Sequence, residues 1–405
     1  MKRTFITLLS LMGLLILLNA CSSHQLKYAK LETMLEDAVA DSAWPGGVLF
    51  IGQGNKIVFN HAAGYHTYEQ KIKIKKNDIF DLASVSKVIG TTSAVMKLVE
   101  NGEISLNDKA VKYLPELKGP DKKNTELKKE ITIKHLLTHS AGFEPFRLFY
   151  EMDCSVEARW DSVYQSELQS KPGDKTVYSD IGLMCMGKIV EKVTTMSQDA
   201  YLRKIVYDPL KMADTHYNPD PSLIDRIVPT EYIDNKLVHG YVHDENTHSL
   251  GGVAGHAGLF STVADLSVFS RMMLNEGELN GIRIFKPETI KQFTTPLDES
   301  SSRCLGWDSP GGESSGGIYL SPYSYGHTGF TGTSIWIDPE NDVYVILLTN
   351  AVHPDRSYKN PKYYDWRQLL HSAAYEELGL NKRNPDLFLK KRWVKEFNMP
   401  RKAEE

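Results

Sequence analysis

A serine and a lysine one helical turn apart are the residues of this sequence best suited to nucleophilic chemistry. Ser84 and Lys87 lie in "DLASVSKVIG", at the start of an apolar stretch with helical spacing. Residues three apart share one face of a helix, and a hydroxyl at a helix N-terminus lies near free N–H groups. A lysine can take the proton of such a serine only when it is neutral, so burial or nearby cations must lower its pKa. Because S-x-x-K recurs by chance in many chains, the pair predicts a nucleophile only if other segments complete the site.

Polar residues also cluster in two helix-rich segments. "PGDKTVYSD" ends in Tyr178-Ser179-Asp180 and leads directly into a run with helical spacing. "HLLTHSAGF" carries His135 and His139 beside leucines. We expect these two imidazoles to make structural hydrogen bonds rather than to act in catalysis.

A third polar segment begins a β-rich run. "YGHTGFTGTSIWID" carries His327, Thr328 and Gly329 in that order, which suits a strand that borders an acyl-transfer site. Thr328 can hydrogen-bond a substrate carboxylate or carbonyl, and Gly329 would let the substrate backbone approach closely. The amide N–H of Phe330 is expected to pair with that of Ser84 as an oxyanion hole.

The elements that position these residues follow from hydrophobic periodicity. Residues 31–39 have helical spacing, and "VLFIGQGNKIVFNHAAGY" predicts two strands around the turn at Gly54-Asn55. A helix is predicted from Val88 to Glu100. Strand character returns late in "TSIWID" and "VYVILLTN", and a last helix is predicted over 364–379.

The predicted strands lie at the two ends of the chain, with a helix-rich insertion of about residues 103–295 between them. A lone hairpin is only marginally stable, so both ends must join one antiparallel sheet. The sequence therefore predicts a two-lobed α+β fold, in which helices flank that sheet. Ser84 is expected in the cleft between the sheet and the helical insertion.

The order of the three motifs resembles that of a known family. S-x-x-K, a Y-x-N-like triplet and [KH]-T-G are typical of the serine β-lactamase and DD-peptidase superfamily. "ASVSK", "YSD" and "HTG" are most similar to its class C β-lactamase, carboxypeptidase and esterase branch, over about residues 30–380. The resemblance implies a β-lactamase/transpeptidase-like fold. We expect a catalytic domain over residues 31–380 and a charged tail over residues 381–405.

The resemblance also implies a role for each matching residue. Ser84 is the nucleophile that forms an acyl-enzyme, and Lys87 is its base or proton relay. Tyr178 is a general base or acid whose phenol pKa is lowered by Lys87, and His327 is an electrostatic or hydrogen-bonding residue. The amides of Ser84 and Phe330 hold the oxyanion, and no metal or cofactor is implied.

One residue departs from the family pattern. The position two after the motif tyrosine is commonly Asn, which can donate to a substrate carbonyl, whereas Asp180 when ionised only accepts. Near Lys87 it would favour the cationic lysine and weaken it as a base. We therefore expect proton abstraction to depend more on Tyr178, and efficient β-lactam hydrolysis is not expected.

Three functions follow from these motifs. The leading one is a serine hydrolase that cleaves amide or ester bonds, including those of peptidoglycan-derived peptides, as a carboxypeptidase, muropeptide amidase, esterase or weak β-lactamase. The second is a serine acyltransferase that moves an acyl group onto a small-molecule hydroxyl or amine, since an acyl-enzyme partitions between water and other nucleophiles. The third is a non-catalytic penicillin-binding or sensor protein.

The first residues predict export. A positively charged start precedes the apolar run from Phe5 to Leu18, and "LNAC" resembles the bacterial lipoprotein cleavage box. Residues 1–20 are therefore expected to be a signal peptide, Cys21 to carry a lipid anchor, and residues 21–30 to be a tether. This arrangement would hold the protein at a membrane, facing the periplasm or the cell surface.

Composition and cysteine spacing argue against nucleic acid as a partner and against a metal site. The formal net charge of −4 and the lack of a basic stripe argue against nucleic acid, which leaves a small-molecule or peptide substrate and the membrane. Cys154, Cys185 and Cys304 lack metal-site spacing. Cys185 lies in an apolar helical run and is expected to be a buried thiol, and a disulfide between the other two stays open.

A histidine-rich segment is the remaining candidate for metal binding. "YVHDENTHSLGGVAGHAGLFST" gathers His243, Asp244, Glu245, His248 and His256. It has no H-x-x-x-H helix spacing and is broken by glycines, so it predicts a loop at the edge of the cleft rather than a metal site.

Overall fold

The structure is a computed structural model that describes residues 28–297, 302–359 and 361–390. The predicted signal peptide, Cys21 and most of the predicted tether lie outside the described residues, as do residues 391–405. Among the described residues no helix is both long and apolar enough to cross a membrane.

The described chain contains helices, strands and short 3₁₀ and π segments. The α-helices are α1 Ala29–Ala40, α2 Ser93–Glu100, α3 Lys122–Lys128, α4 Ile133–Leu137, α5 Val156–Tyr164, α6 Asp180–Thr194, α7 Gln198–Leu202, α8 Asp208–Leu210, α9 Glu245–Ser249, α10 Val263–Leu274, α11 Pro287–Thr294 and α12 Lys362–Glu377. The strands are β1 Gly46–Gln53, β2 Lys56–Gly64, β3 Phe80–Asp81, β4 His216–Tyr217, β5 Tyr232–Ile233, β6 Lys236–Leu237, β7 Leu259–Ser261, β8 Glu278–Leu279, β9 Ile282–Arg283, β10 Gly312–Glu313, β11 Tyr325–Thr328, β12 Ser334–Asp338, β13 Val343–Thr349 and β14 Leu387–Phe388. The 3₁₀ segments are Ala83–Val85, Ala110–Lys112, Phe149–Glu151, Pro221–Arg226 and Arg356–Lys359, and the π segments are Lys87–Thr92 and Arg203–Tyr207.

The main sheet joins the two ends of the chain, as the sequence predicts. Its order is β11-β12-β13-β1-β2, and all neighbouring pairs are antiparallel. Strand β13, which is nearly all apolar, is buried along its whole length at the centre. The strand pair β1–β2 closes over Gly54, which has a φ of 53°, a conformation that glycine adopts without steric cost.

Each face of the sheet is covered by a separate layer. Side chains alternate across a strand, so Val48 and Phe50 of β1 join the core of the helical body. Leu49 and Ile51 point the other way, into a core shared with α1 and α12. The predicted α+β architecture is thus confirmed, with the insertion between β2 and β11 forming the second lobe.

The helix predicted from Val88 to Glu100 is interrupted. The chain instead passes from the 3₁₀ segment Ala83–Val85 into the π segment Lys87–Thr92 and only then into α2. Ala83 has a φ of 46°, which a side-chain-bearing residue rarely adopts and which is found where surrounding structure holds the backbone in place. Ser84 therefore lies on a constrained turn rather than in a regular α-helix.

The C-terminal boundary and the cysteines complete the description. Strand β14 pairs in parallel with β10, and Leu387 is buried, so packing against the domain extends beyond residue 380.

Cys154, Cys185 and Cys304 are free thiols. Cys185 is fully buried as predicted, and the disulfide that the sequence left open is not formed.

Candidate active site

The turn that carries Ser84 is held by its own neighbours. The N–H of Ala83 donates to Asp81 Oδ1 at 2.8 Å, and the N–H of Leu82 donates to the carbonyl of Leu259 at 2.9 Å. The N–H of Leu259 in turn donates to Ser86 Oγ at 3.0 Å. These bonds fix the backbone on both sides of Ser84, whose side chain is half-buried at the cleft.

Lys87 is completely buried, donates two hydrogen bonds and forms an ion pair. Its Nζ lies 2.8 Å from Ser84 Oγ, 2.8 Å from Asp180 Oδ1 and 3.0 Å from the carbonyl oxygen of His256. Burial alone would lower the pKa of Lys87, but the Asp180 carboxylate and the Tyr178 phenol outweigh it and raise that pKa. Lys87 is therefore an ammonium at neutral pH, and Ser84 Oγ accepts its hydrogen bond.

Asp180 reaches Lys87 from the first turn of a helix. It is the first residue of α6, and its N–H donates to the carbonyl of Pro145 at 2.8 Å. A carboxylate is favoured at a helix N-terminus. The expected pairing of Asp180 with Lys87 is present, and it supports the cationic lysine as the sequence analysis reasoned.

The ring of Tyr178 lies at the centre of a cluster of basic side chains. Its centroid is 4.9 Å from Lys87 Nζ, 4.6 Å from the His139 ring and 6.0 Å from the His327 ring. Burial raises the pKa of Tyr178, although Lys87 and a hydrogen bond with Ser84 act in the opposite direction. Lys87 lowers this pKa, as the resemblance implies, but the net shift is upward because the cost of burying a phenolate is larger. Tyr178 is a neutral phenol at neutral pH.

His139 fixes the backbone beside this phenol. The N–H of Ser179 donates to His139 Nδ1 at 3.0 Å, and Ser179 Oγ donates to the carbonyl of Glu144 at 2.6 Å. Burial and the nearby Arg303 cation lower the pKa of His139 well below its usual value. The imidazole is thus a neutral acceptor with a structural role, as the sequence predicts.

His327 lies on β11, on the opposite side of the Tyr178 ring. Its Nδ1 is 2.7 Å from the carbonyl oxygen of Thr328, so Nδ1 carries the proton and Nε2 is an acceptor. Burial lowers the pKa of His327, and the charge of Asp308 opposes this only in part. Nε2 has no hydrogen-bond partner among the described residues, which leaves a buried neutral acceptor near the Tyr178 ring.

The glycine of the third motif is required by packing of the protein itself. A Cβ on Gly329 would lie 2.1 Å from Thr333 Oγ1 and 2.4 Å from the carbonyl oxygen of Leu82. The structure shows that the small residue lets the end of β11 approach the turn before Ser84. That it also admits the substrate backbone stays a prediction.

The two proposed oxyanion donors have free N–H groups. Within the described ranges, neither Ser84 N nor Phe330 N has a hydrogen-bond acceptor. Thr328 ends β11 beside them and is half-buried. Hydroxyls of the same loop donate to the turn before Ser84, Thr331 to the carbonyl of Asp81 at 2.8 Å and Thr333 to that of Leu82 at 2.9 Å. The loop after β11 and the turn of Ser84 therefore form one rigid unit.

Arg303 is a residue of the cleft that the sequence analysis missed. Its guanidinium carbon lies 5.4 Å from the centre of the Tyr178 ring, and the side chain pairs with Asp308. It precedes His327 by 24 positions in a segment without motif or periodicity, so no sequence signal points to it. It adds a second positive charge beside the phenol.

The histidine-rich segment forms pairs rather than a metal centre. His243 Nε2 lies 2.8 Å from Glu231 Oε1, and His256 Nε2 lies 2.9 Å from Asp244 Oδ1. No group of three His, Cys, Asp or Glu side chains in the described part of the chain could hold a metal ion. The segment lines the site, since the carbonyl of His256 contacts Lys87.

A serine on a constrained turn, a buried lysine and a tyrosine between a sheet and a helical lobe define a serine hydrolase of the β-lactamase and penicillin-binding-protein type. The family model described as "Beta-lactamase" matches residues 31–369, and the chain belongs to this family. A protein of Escherichia coli (strain K12) named "Putative D-alanyl-D-alanine carboxypeptidase" is 33% identical over 365 residues, which cover 81% of this chain and 84% of that protein.

Solved structures share the fold at lower identity. A penicillin-binding protein homologue from Caulobacter crescentus superposes with a TM-score of 0.68 at 18% identity, over 87% of this chain and 97% of that one. Unliganded simvastatin synthase (LovD) from Aspergillus terreus gives a TM-score of 0.67 at 19% identity, over 86% of this chain and 98% of that one. At these identities the likeness establishes the fold alone.

Proposed function

We propose that this serine hydrolase forms an acyl-enzyme on Ser84 and cleaves amide or ester bonds in peptidoglycan-derived peptides. The observation that carries the proposal is the contact of Lys87 Nζ with both Ser84 Oγ and Asp180 Oδ1 at 2.8 Å. The free N–H groups of Ser84 and Phe330 support it, because a tetrahedral intermediate needs two such donors for its oxyanion.

The protonation states suggest how the serine is activated. The resting site holds the Lys87 ammonium, the Asp180 carboxylate and the neutral Tyr178 phenol. Lys87 passes one proton to Asp180 and takes the proton of Ser84 as Ser84 Oγ bonds to the acyl carbon and the carbonyl electron pair moves to the oxyanion. When the tetrahedral intermediate collapses and the bond to the leaving group breaks, Tyr178 donates its proton to that group and Lys87 returns one to the phenolate. Asp180 then gives its proton back to Lys87, which restores the ion pair.

The charges near the cleft favour a substrate with an anionic end. Arg303 lies beside Tyr178, and Thr328 offers a hydroxyl at the end of β11. Both can bind a carboxylate such as the C-terminus of a D-alanyl peptide, which accords with the name of the E. coli relative. His327 is neutral and contributes an acceptor rather than a charge.

A substrate panel with matched variants tests the proposal. Purified protein and Ser84→Ala are compared on simple esters, D-alanyl-D-alanine dipeptides, muropeptides and a chromogenic cephalosporin. The proposal expects turnover of peptides with a free C-terminal carboxylate, lost in Ser84→Ala, and a higher KM in Arg303→Gln. No turnover of any substrate by the wild-type protein would favour the sensor function instead.

The same panel separates hydrolysis from acyl transfer. Each acyl donor is supplied with and without an alcohol or amine acceptor, and the products are resolved by mass spectrometry. Free acid as the only product, whatever the acceptor, supports hydrolysis. An ester or amide of the acceptor as the main product would identify an acyltransferase.

We further propose that the mature protein is held at a membrane through a lipid on Cys21. The support is the order of a positive start, an apolar run and the "LNAC" box. Metabolic labelling with an alkyne-tagged fatty acid should mark the full-length protein and fail to mark Cys21→Ala. Equal labelling of the two would overturn this part of the proposal.

A further inference from the structure

A second buried lysine contacts the residue that carries an oxyanion donor. Lys359 ends the 3₁₀ segment Arg356–Lys359 and is 7% exposed. Its Nζ lies 2.5 Å from the carbonyl oxygen of Phe330. No carboxylate within the described residues pairs with it, so the backbone carbonyl is its principal partner.

Aromatic faces complete the surroundings of this lysine. Its Nζ lies 4.6 Å from the centre of the Phe330 ring, 5.0 Å from that of Tyr363 and 5.7 Å from that of Tyr364. Burial of a cation without a carboxylate is costly, and burial together with the Arg367 guanidinium lowers the pKa of Lys359 to about 7. Both the ammonium and the neutral amine can donate to the Phe330 carbonyl, so the hydrogen bond survives either state.

The ring of Phe330 is held on other sides too. The His243 ring stacks on it at 5.6 Å, and the Arg356 guanidinium lies 5.7 Å from its centre. Both side chains are tied to the buried Glu231 carboxylate. The ring itself is 46% exposed at the cleft, so these contacts fix a residue that solvent would otherwise leave mobile.

Fixing the carbonyl and ring of a residue restricts where its N–H can point, because only the two dihedrals φ and ψ connect the N–H to the carbonyl. Thr331 and Thr333 tie the loop after Phe330 to the turn before Ser84, and the N–H of Gly332 donates to the carbonyl of Gly329 at 3.1 Å, on the peptide that carries the Phe330 N–H. Lys359 adds a side-chain tie at the Phe330 carbonyl, on the following peptide. We propose that Lys359 is a positioning residue that orients the Phe330 N–H toward the oxyanion formed during acyl transfer, an inference that rests on the proposed function.

The test compares two buried lysines that both donate to backbone carbonyls. Lys128 is fully buried, donates to the carbonyls of Lys118 and Tyr164 at 2.9 and 2.7 Å, and is no part of the proposed site. Lys359→Met and Lys128→Met are each measured for thermal stability, for kcat and KM on an activated ester, and for inhibition by phenylboronic acid. The boronate adduct on Ser84 places an oxygen anion where the tetrahedral intermediate would have one.

The expected results distinguish an effect on the orientation of the Phe330 N–H from an effect on the stability of the fold. Lys359→Met should lower kcat by about 10- to 100-fold, less than the roughly 100- to 1,000-fold lost when an oxyanion donor is removed altogether, while KM changes less than about two-fold. The boronate should bind more weakly by a similar factor. Lys128→Met should lose stability with unchanged kcat, and Lys359→Arg, which keeps a donor, should recover most of the activity if Lys359→Met folds poorly.

Four outcomes would overturn the inference or its basis. Equal kcat in wild type and Lys359→Met, or a loss of kcat with unchanged boronate affinity, would show that Lys359 does not position the oxyanion donor. A loss of kcat in Lys128→Met that matches its loss in Lys359→Met would assign the effect to stability. Absence of a boronate or ester reaction in the wild type would defeat the proposed function itself, which Lys359→Met alone cannot do.

Discussion

Lys87 Nζ and Asp180 Oδ1 lie 2.8 Å apart, with the lysine wholly buried. This contact sets the protonation of the site, because it raises the pKa of the amine that stands next to Ser84. A family member with Asn at this position lacks that anion, so its lysine is more easily neutral. In the reaction proposed above, the proton of Ser84 therefore passes to Lys87 only after Lys87 has given a proton to Asp180.

Replacing this anion should move the pH dependence of the reaction. Asp180→Asn removes the charge that raises the pKa of Lys87 while burial still lowers it, so the lysine should become neutral at a lower pH. The rise of kcat/KM with pH that reports a neutral lysine should move to lower pH by one unit or more in the variant, about 1.4 kcal/mol. Identical profiles for wild type and Asp180→Asn would show that the ion pair does not control the lysine.

A methyl group at Gly329 should move the loop after β11 away from the turn that carries Ser84. Gly329→Ala would place a Cβ against Thr333 and the Leu82 carbonyl, which should push the loop after β11 away from Ser84 and lower kcat by about 100-fold. Gly311→Ala is the control, because its Cβ would meet only Ser302, at 3.8 Å. Steady-state kinetics on one ester compare them, and wild-type kcat in Gly329→Ala would contradict the packing argument.

The two histidines of "HLLTHSAGF" should respond differently to removal. His139→Ala leaves the buried N–H of Ser179 without an acceptor, so unfolding free energy should fall by about 2 kcal/mol and kcat should fall with it as Tyr178 shifts. His135→Ala removes a helix-capping contact with Thr132, worth about 1 kcal/mol. Urea unfolding and kinetics distinguish them, and equal kcat in both variants would deny His139 its positioning role.

Acid stability should depend on Glu231. Burial alone would raise its pKa, but His243 and Arg356 outweigh burial and lower it to about 2. The pKa of Glu231 is thus lower in the folded than in the unfolded state, so the carboxylate stabilises the fold above about pH 4.5. This stabilisation, about 2 kcal/mol, is lost as the pH falls from about 5 to about 2. In Glu231→Gln, urea unfolding at pH 7 and pH 3 should differ less than in wild type. If stability differs between pH 7 and pH 3 by the same amount in Glu231→Gln and in wild type, Glu231 is not the source of the acid sensitivity.

The fold could be predicted from hydrophobic periodicity and from the order of the motifs. Alternation in β1 and the apolar run of β13 are local patterns, and the weakness of a lone hairpin forced the two ends into one sheet. Ser84, Lys87 and Tyr178 could be identified because they stand in motifs whose residue types and order are typical of serine catalysis. Their predicted proximity is present in the structure, while their catalytic roles stay predictions.

The features that sequence could not supply are long-range. Arg303 reaches Tyr178, and Lys359 reaches Phe330, through contacts between segments with no shared motif. The raised pKa of Tyr178 depends on how deeply the ring is buried, which only the assembled fold determines. The break before α2 follows from bonds of the Ser84 turn to β7, a strand about 170 positions later in the chain.

The central claim is a covalent acyl-enzyme on Ser84, and intact-mass spectrometry with a fluorophosphonate tests it most directly. We expect one adduct per molecule, located by peptide mapping on the peptide that contains Ser84 and absent in Ser84→Ala, with ester turnover in that variant reduced by at least about 1,000-fold. An adduct on another residue, or Ser84→Ala that turns over ester at the wild-type rate, would contradict the account.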